Sequence, residues 1–126
     1  MPPKTLLSVV GPTVSPRLHT LYLSLGFTVI SANSTRKALA HIKNKQPDII
    51  IAEFLFCPTY GSQLSNFEAL FAGVQRNAPQ AKIIALFDQK DRTHLLKVSE
   101  RFPLFGYFHF PIDEKKLAEC LQKVLQ

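Results

Sequence analysis

Five times along this chain a short, mostly apolar run gives way to a segment whose apolar residues recur at helical spacing. That alternation limits the fold more than any single motif does. The runs are TLLSVV (5–10), FTVIS (27–31), DIIIAEF (48–54), KIIALF (82–87) and FGYFHF (105–110). Between them lie Val14, Leu18, Leu21, Tyr22 and Leu25, stopped by Gly26, and then Ala38, Leu39 and Ile42 behind a capping Ser34. Further on come Phe67, Leu70, Phe71 and Val74, and then Leu95, Val98, Ser99 and Phe102. Asp113 caps a last helix with Leu117, Cys120, Leu121 and Val124 inward. Spacings of three and four residues place such side chains on one helical face.

Strands that are apolar along their whole length must be covered on both faces, and helices between them supply the cover. The expectation is an α/β fold, a single (βα)5 doubly wound parallel sheet spanning residues 1–126. The runs at 5–10, 48–53 and 82–87 are the most uniformly apolar and belong at mid-sheet. A flavodoxin-like strand order of 2-1-3-4-5 meets that condition. In that order the functional crevice opens at the carboxyl ends of strands 1 and 3, where the winding reverses. Glu53 sits at one of those ends.

Composition narrows the classes. With 46% hydrophobic residues the chain can build a core, and no apolar run approaches the roughly 18 residues of a membrane span. Cys57 and Cys120 fit no metal or disulfide framework, so two reduced thiols in a cytoplasmic protein are expected. The net charge is +6, but the Lys and Arg residues come as singles and pairs, with no basic run and no aromatic interleaving. They read as solvated helix faces, not as a nucleic-acid patch. The four His residues show no ligand spacing, and His109 should face away from Phe110 by strand alternation. The loop GPTVSP (11–16) offers Thr13 and Ser15 to a phosphate, but a phosphate cradle uses backbone N–H groups, and Pro12 and Pro16 have none. No enzyme chemistry and no cofactor is expected.

The ordered landmarks KTLLSVVGP, LYLSLGF, PDIIIAE, IIAL and GYFHFPID resemble the receiver domain of bacterial two-component response regulators, over nearly the whole chain. The resemblance implies a site of two acids after strand 1 for Mg²⁺, an Asp phospho-acceptor on strand 3, a Thr or Ser ending strand 4 and a Lys before the strand-5 Pro. Such a set suits phosphoryl transfer, because a cation and a Lys neutralise the charge spread over three oxygens. At those positions this chain has Val9 and Val10, Glu53, Phe87 and Phe110. All five differ from the family's pattern. The chain therefore looks like a degenerate receiver, a pseudo-receiver, with Glu53 as a remnant. The family's switch aromatic is matched by Tyr107.

Two surfaces draw interest. One is the aromatic stretch with Phe105, Tyr107 and Phe108. The resemblance makes the helix 4, strand 5, helix 5 face a surface for homodimerisation, a protein partner or an output domain. The other is the loop 56–66, longer than the family's, with Phe56 and Tyr60 available. The expected function is a phosphorylation-independent signalling and protein-interaction module, with no output domain after the last helix. The alternative is a small-molecule sensor, in which Val9, Val10, Phe87 and Phe110 hold a quinone-type ligand in the apolar former site.

Overall fold

A computed structural model describes residues 3–10, 16–57 and 64–125. Five parallel strands, β1 (Thr5–Val9), β2 (Thr28–Ala32), β3 (Ile49–Glu53), β4 (Lys82–Phe87) and β5 (Gly106–His109), form one sheet in the order 2-1-3-4-5. The helices are α1 (Arg17–Ser24), α2 (Thr35–Lys45), α3 (Asn66–Asn77), α4 (Arg92–Arg101) and α5 (Glu114–Leu125).

Strand alternation divides the core in two. Leu7, Ile50, Ala52, Ile83, Ala85 and Phe87 point to the side covered by α2, α3 and α4. Their neighbours Leu6, Ile49, Ile51, Ile84 and Leu86 point to the side covered by α1 and α5. The three isoleucines of β3 are wholly buried, and each contributes roughly 1.5–3 kcal/mol of burial. That explains why the runs at β1, β3 and β4 lie at mid-sheet: each needs cover on both sides. β2 and β5 are the edges; burial alternates along β5, and β2 is buried fully only at Ala32.

Helix ends follow local chemistry. The Ser34 hydroxyl accepts from the Lys37 N–H at 3.2 Å, and Asp113 accepts from the N–H groups of Lys115 and Lys116. Asp88 and Asp91 sit at the starts of a short 3₁₀ turn and of α4. At the entry to β2, Gly26 takes φ +95°, a backbone conformation that suits glycine. This turn leaves Phe27 buried outside the ladder, so β2 runs over 28–32 instead of 27–31. Similarly, β1 stops at Val9 and β5 spans only 106–109, shorter than the apolar runs. Residues at the ends of those runs pack without joining the ladder.

Of the loop after β3, Phe56–Cys57 and Leu64–Ser65 pair as a small antiparallel ladder. The Phe56 side chain and all of Tyr60 lie outside the described residues, as do Thr13 and Ser15.

Candidate functional site at the strand ends and the β5 edge

β1 and β3 are neighbours, and their carboxyl ends bring Val9, Val10 and Glu53 to one place. Val9 is buried on the α2 side, and the Val10 N–H donates to the Ala32 carbonyl at 3.2 Å. Glu53 is half-buried and stands in register with Leu86 of β4. A pocket of about 60 Å³ lies here, lined by Val9, Val10, Glu53, Leu55 and Asn66, with residues 33–35 closing it at the start of α2.

Asn66, the first residue of α3, holds the rim. Its amide nitrogen donates to the Glu53 carbonyl at 2.8 Å, and its amide oxygen accepts from the Leu55 N–H at 2.8 Å. The Asn66 N–H in turn donates to the Leu55 carbonyl at 3.1 Å. One side chain thus ties the strand end to the helix start. Ser65 and Glu68 complete a reciprocal capping box beside it. The pattern Ser65-x-x-Glu68 is a readable helix-start signal. The two hydrogen bonds that the Asn66 side chain makes with Glu53 and Leu55 had no local sequence signal.

The other two positions do not converge on this pocket. Phe87 is buried on the α2–α4 side, with its ring 6.0 Å from Tyr107 and 6.2 Å from His109. Phe110 is half-buried and packs against the opposite core, on the α1–α5 side. Its N–H donates to the Phe87 carbonyl at 2.8 Å, which joins the ends of β4 and β5 through backbone alone.

A magnesium ion requires hard oxygen ligands, several of them charged in a receiver-type site. Val9 and Val10 offer hydrocarbon there. Among the described residues no three His, Cys, Asp or Glu side chains gather as a metal-binding group. The residues present do not fit Mg²⁺ bound in the receiver manner.

The β5 edge differs. Tyr107 is 41% exposed, although it stands in register with the buried Ala85 of β4. Phe105 and Phe108 are half-buried against the α1–α5 core, and Lys82 Nζ lies 5.7 Å from the Phe105 ring centroid. Gly106 permits a close approach: a Cβ there would stand 3.2 Å from Cys120 Sγ. An open groove of about 500 Å³ runs along Tyr107, Phe108 and His109 to Pro111, Asp113 and Lys116. His109 is exposed, and its Nδ1 lies 3.1 Å from Gln89 Nε2. Cys120 is a free thiol, and burial pushes its pKa up against the opposing pull of Lys123. A raised pKa leaves little thiolate for nucleophilic chemistry.

A doubly wound sheet in this order with these helices is the fold of a response-regulator receiver domain. Solved structures with that fold include the signal receiver domain of a modulated diguanylate cyclase from Desulfovibrio desulfuricans, at 19% identity and TM-score 0.77 over 98% of this chain and 94% of that one. Another is the signal receiver domain of an HD domain-containing protein from Pseudomonas fluorescens, at 22% identity and TM-score 0.76 over 99% and 95%. A third is the receiver domain of a sensor histidine kinase from Pseudomonas aeruginosa, with magnesium coordinated in its active-site cleft, at 21% identity and TM-score 0.74 over 98% and 99%. No family model matches the chain, and no curated protein does. No helix among the described residues is long and apolar enough to cross a membrane.

Proposed function

We propose that this chain is a degenerate member of the receiver family, a phosphorylation-independent signalling module that works by binding protein. The observation that carries the reading is the chemistry at the strand ends. Where phosphoryl transfer needs a cation site and oxyanion donors, Val9, Val10, Phe87 and Phe110 offer apolar surface, and Glu53 is the remaining acid. Phe87 also fills the space beside Tyr107, so the aromatic has no bound group to report on. The binding surface is the β5 edge with α5, where Tyr107, Phe105 and Phe108 stand beside an open groove. Its occupant is a second copy of the chain, another protein or an output domain.

The small-molecule reading has less support. A quinone-type ligand held by all four apolar residues needs them around one cavity, yet Phe87 and Phe110 pack into opposite cores. The pocket at Val9 and Val10 holds about 60 Å³, well below the roughly 300 Å³ at which ligand sites begin.

Sedimentation of the wild type, Tyr107→Ala and Glu53→Gln over a concentration series tests the proposal. Tyr107→Ala is expected to weaken self-association at least tenfold, about 1.4 kcal/mol, and Glu53→Gln to leave it unchanged. Loss of association in Glu53→Gln, at an unchanged melting temperature, would show that the acid still signals.

A further inference from the structure

The charge of this molecule is divided along the chain. Residues 1–47 hold six cations, Lys4, Arg17, Arg36, Lys37, Lys43 and Lys45, and no Asp or Glu. Residues 48–126 hold nine cations and nine carboxylates. The whole net charge of +6 therefore belongs to the first part, which builds the β2 edge of the sheet with α1 and α2.

α2 concentrates it. Arg36, Lys37, Lys43 and Lys45 are exposed, and none takes part in an ion pair among the described residues. Arg36 and Lys43 are seven residues apart, so they share a face, and Lys37 lies about 100° around from Arg36. Lys43 and Lys45 suit the last turn of a helix, where the macrodipole favours cations. Arg36 and Lys37 are in the first turn, where the same dipole disfavours them, so helix stability does not account for them. The neighbouring α3 adds an exposed Arg76. Its one carboxylate, Glu68, is taken up by Ser65 and by Arg101 of α4.

We infer that the α2–α3 face binds the phosphate backbone of a nucleic-acid duplex. The choice of partner rests on what accompanies the cations. Protein interfaces centre on apolar or aromatic anchors, and none of the exposed large apolar residues, Leu23, Leu55, Tyr107 and Leu125, belongs to α2 or α3. Ala38 and Ile42 face the core, which leaves no apolar stripe to enter a membrane. A single-sign face without aromatics suits contacts to phosphate, which are independent of sequence. α2 is 11 residues long, about 16 Å, enough to span several phosphates of a duplex. The face is separate from the β5 edge, so this inference does not depend on the interaction proposed there.

Fluorescence anisotropy with a labelled DNA duplex of mixed sequence, over a salt series, tests it. Binding should weaken with salt at a log–log slope of roughly −3.6 to −4.5, as expected for four or five phosphates neutralised. The pair Lys37→Glu with Lys43→Glu should weaken binding at least tenfold and make the slope shallower by about 2. The pair Arg92→Glu with Lys97→Glu on α4, both exposed, changes net charge equally and should stay within twofold. Equal weakening by both pairs would overturn the inference, because net charge alone would then explain the binding. So would no binding at low salt, or tighter binding of a poly-glutamate peptide or of anionic lipid vesicles than of the duplex.

Discussion

Two regions of this molecule occupy positions with known potential for function in a doubly wound sheet, and they have been built in opposite ways. At the carboxyl ends of β1 and β3 the pocket is small, about 60 Å³, with apolar side chains lining it and the Asn66 amide holding the rim. At the β5 edge aromatic surface stays open to solvent, beside a groove several times larger. Where the fold permits chemistry, this chain packs. Where the fold permits contact, it exposes. The contrast sets apolar packing at the strand ends against exposed aromatic surface at the sheet edge, and the two rest on different residues.

The contrast predicts unequal responses to truncation. Phe87→Ala removes a fully buried ring at the end of β4 and should cost roughly 3–5 kcal/mol of stability. Tyr107→Ala, on the open edge, should cost under about 1 kcal/mol, with both losses read by urea titration. Comparable losses would mean that Tyr107 is core and the edge is not a docking surface.

A smaller effect should follow at the rim. Asn66→Ala breaks two bonds at once and leaves the Glu53 carbonyl and the Leu55 N–H without that partner. A loss of about 2 kcal/mol is expected, with self-association unchanged. Weakened association would connect the rim to the β5 edge and break the separation between the two regions.

The smallest effect lies in the α1–α5 layer that backs the open edge. The Tyr22 hydroxyl is buried and finds no hydrogen-bond partner among the described residues. Tyr22→Phe should be neutral or stabilising by about 1 kcal/mol. Burial also raises the Tyr22 pKa above its ordinary 10.0. The folded chain then keeps its proton where the unfolded chain releases it, so stability is full below pH 10 and falls as pH rises beyond it. Tyr22→Phe should remove that part of the alkaline loss, as melting curves between neutral and alkaline pH will show.

Much of this was legible in the sequence. Ile49 to Ala52 announced a strand buried on both faces, and the helical spacing of Phe67, Leu70, Phe71 and Val74 matched the buried face of α3. Ser34 and Asp113 declared their helix starts. The positions of Val9, Val10 and Glu53 together could be inferred, because strand order alone brings them close. The sides taken by Phe87 and Phe110 follow strand alternation, Phe87 with Ile83 and Ala85, Phe110 with Phe108 on the opposite face, so the pleat itself keeps the two rings apart. The bonds of Asn66 were hidden: they join residues 11 and 13 positions apart across a loop. The segregation of charge was present in the sequence, but its concentration on one helix became plain only with α2 placed at the β2 edge.

Heteronuclear NMR of the chain, titrated with Mg²⁺ and then with beryllofluoride as a phosphoryl mimic, separates a silent receiver from an active one. With apolar groups at positions 9, 10, 87 and 110, no saturable shift is expected at Glu53, Phe87 or Tyr107, and self-association should be the same with and without the mimic. A saturable, Mg²⁺-dependent response centred on Glu53 that reaches Tyr107 would contradict the account.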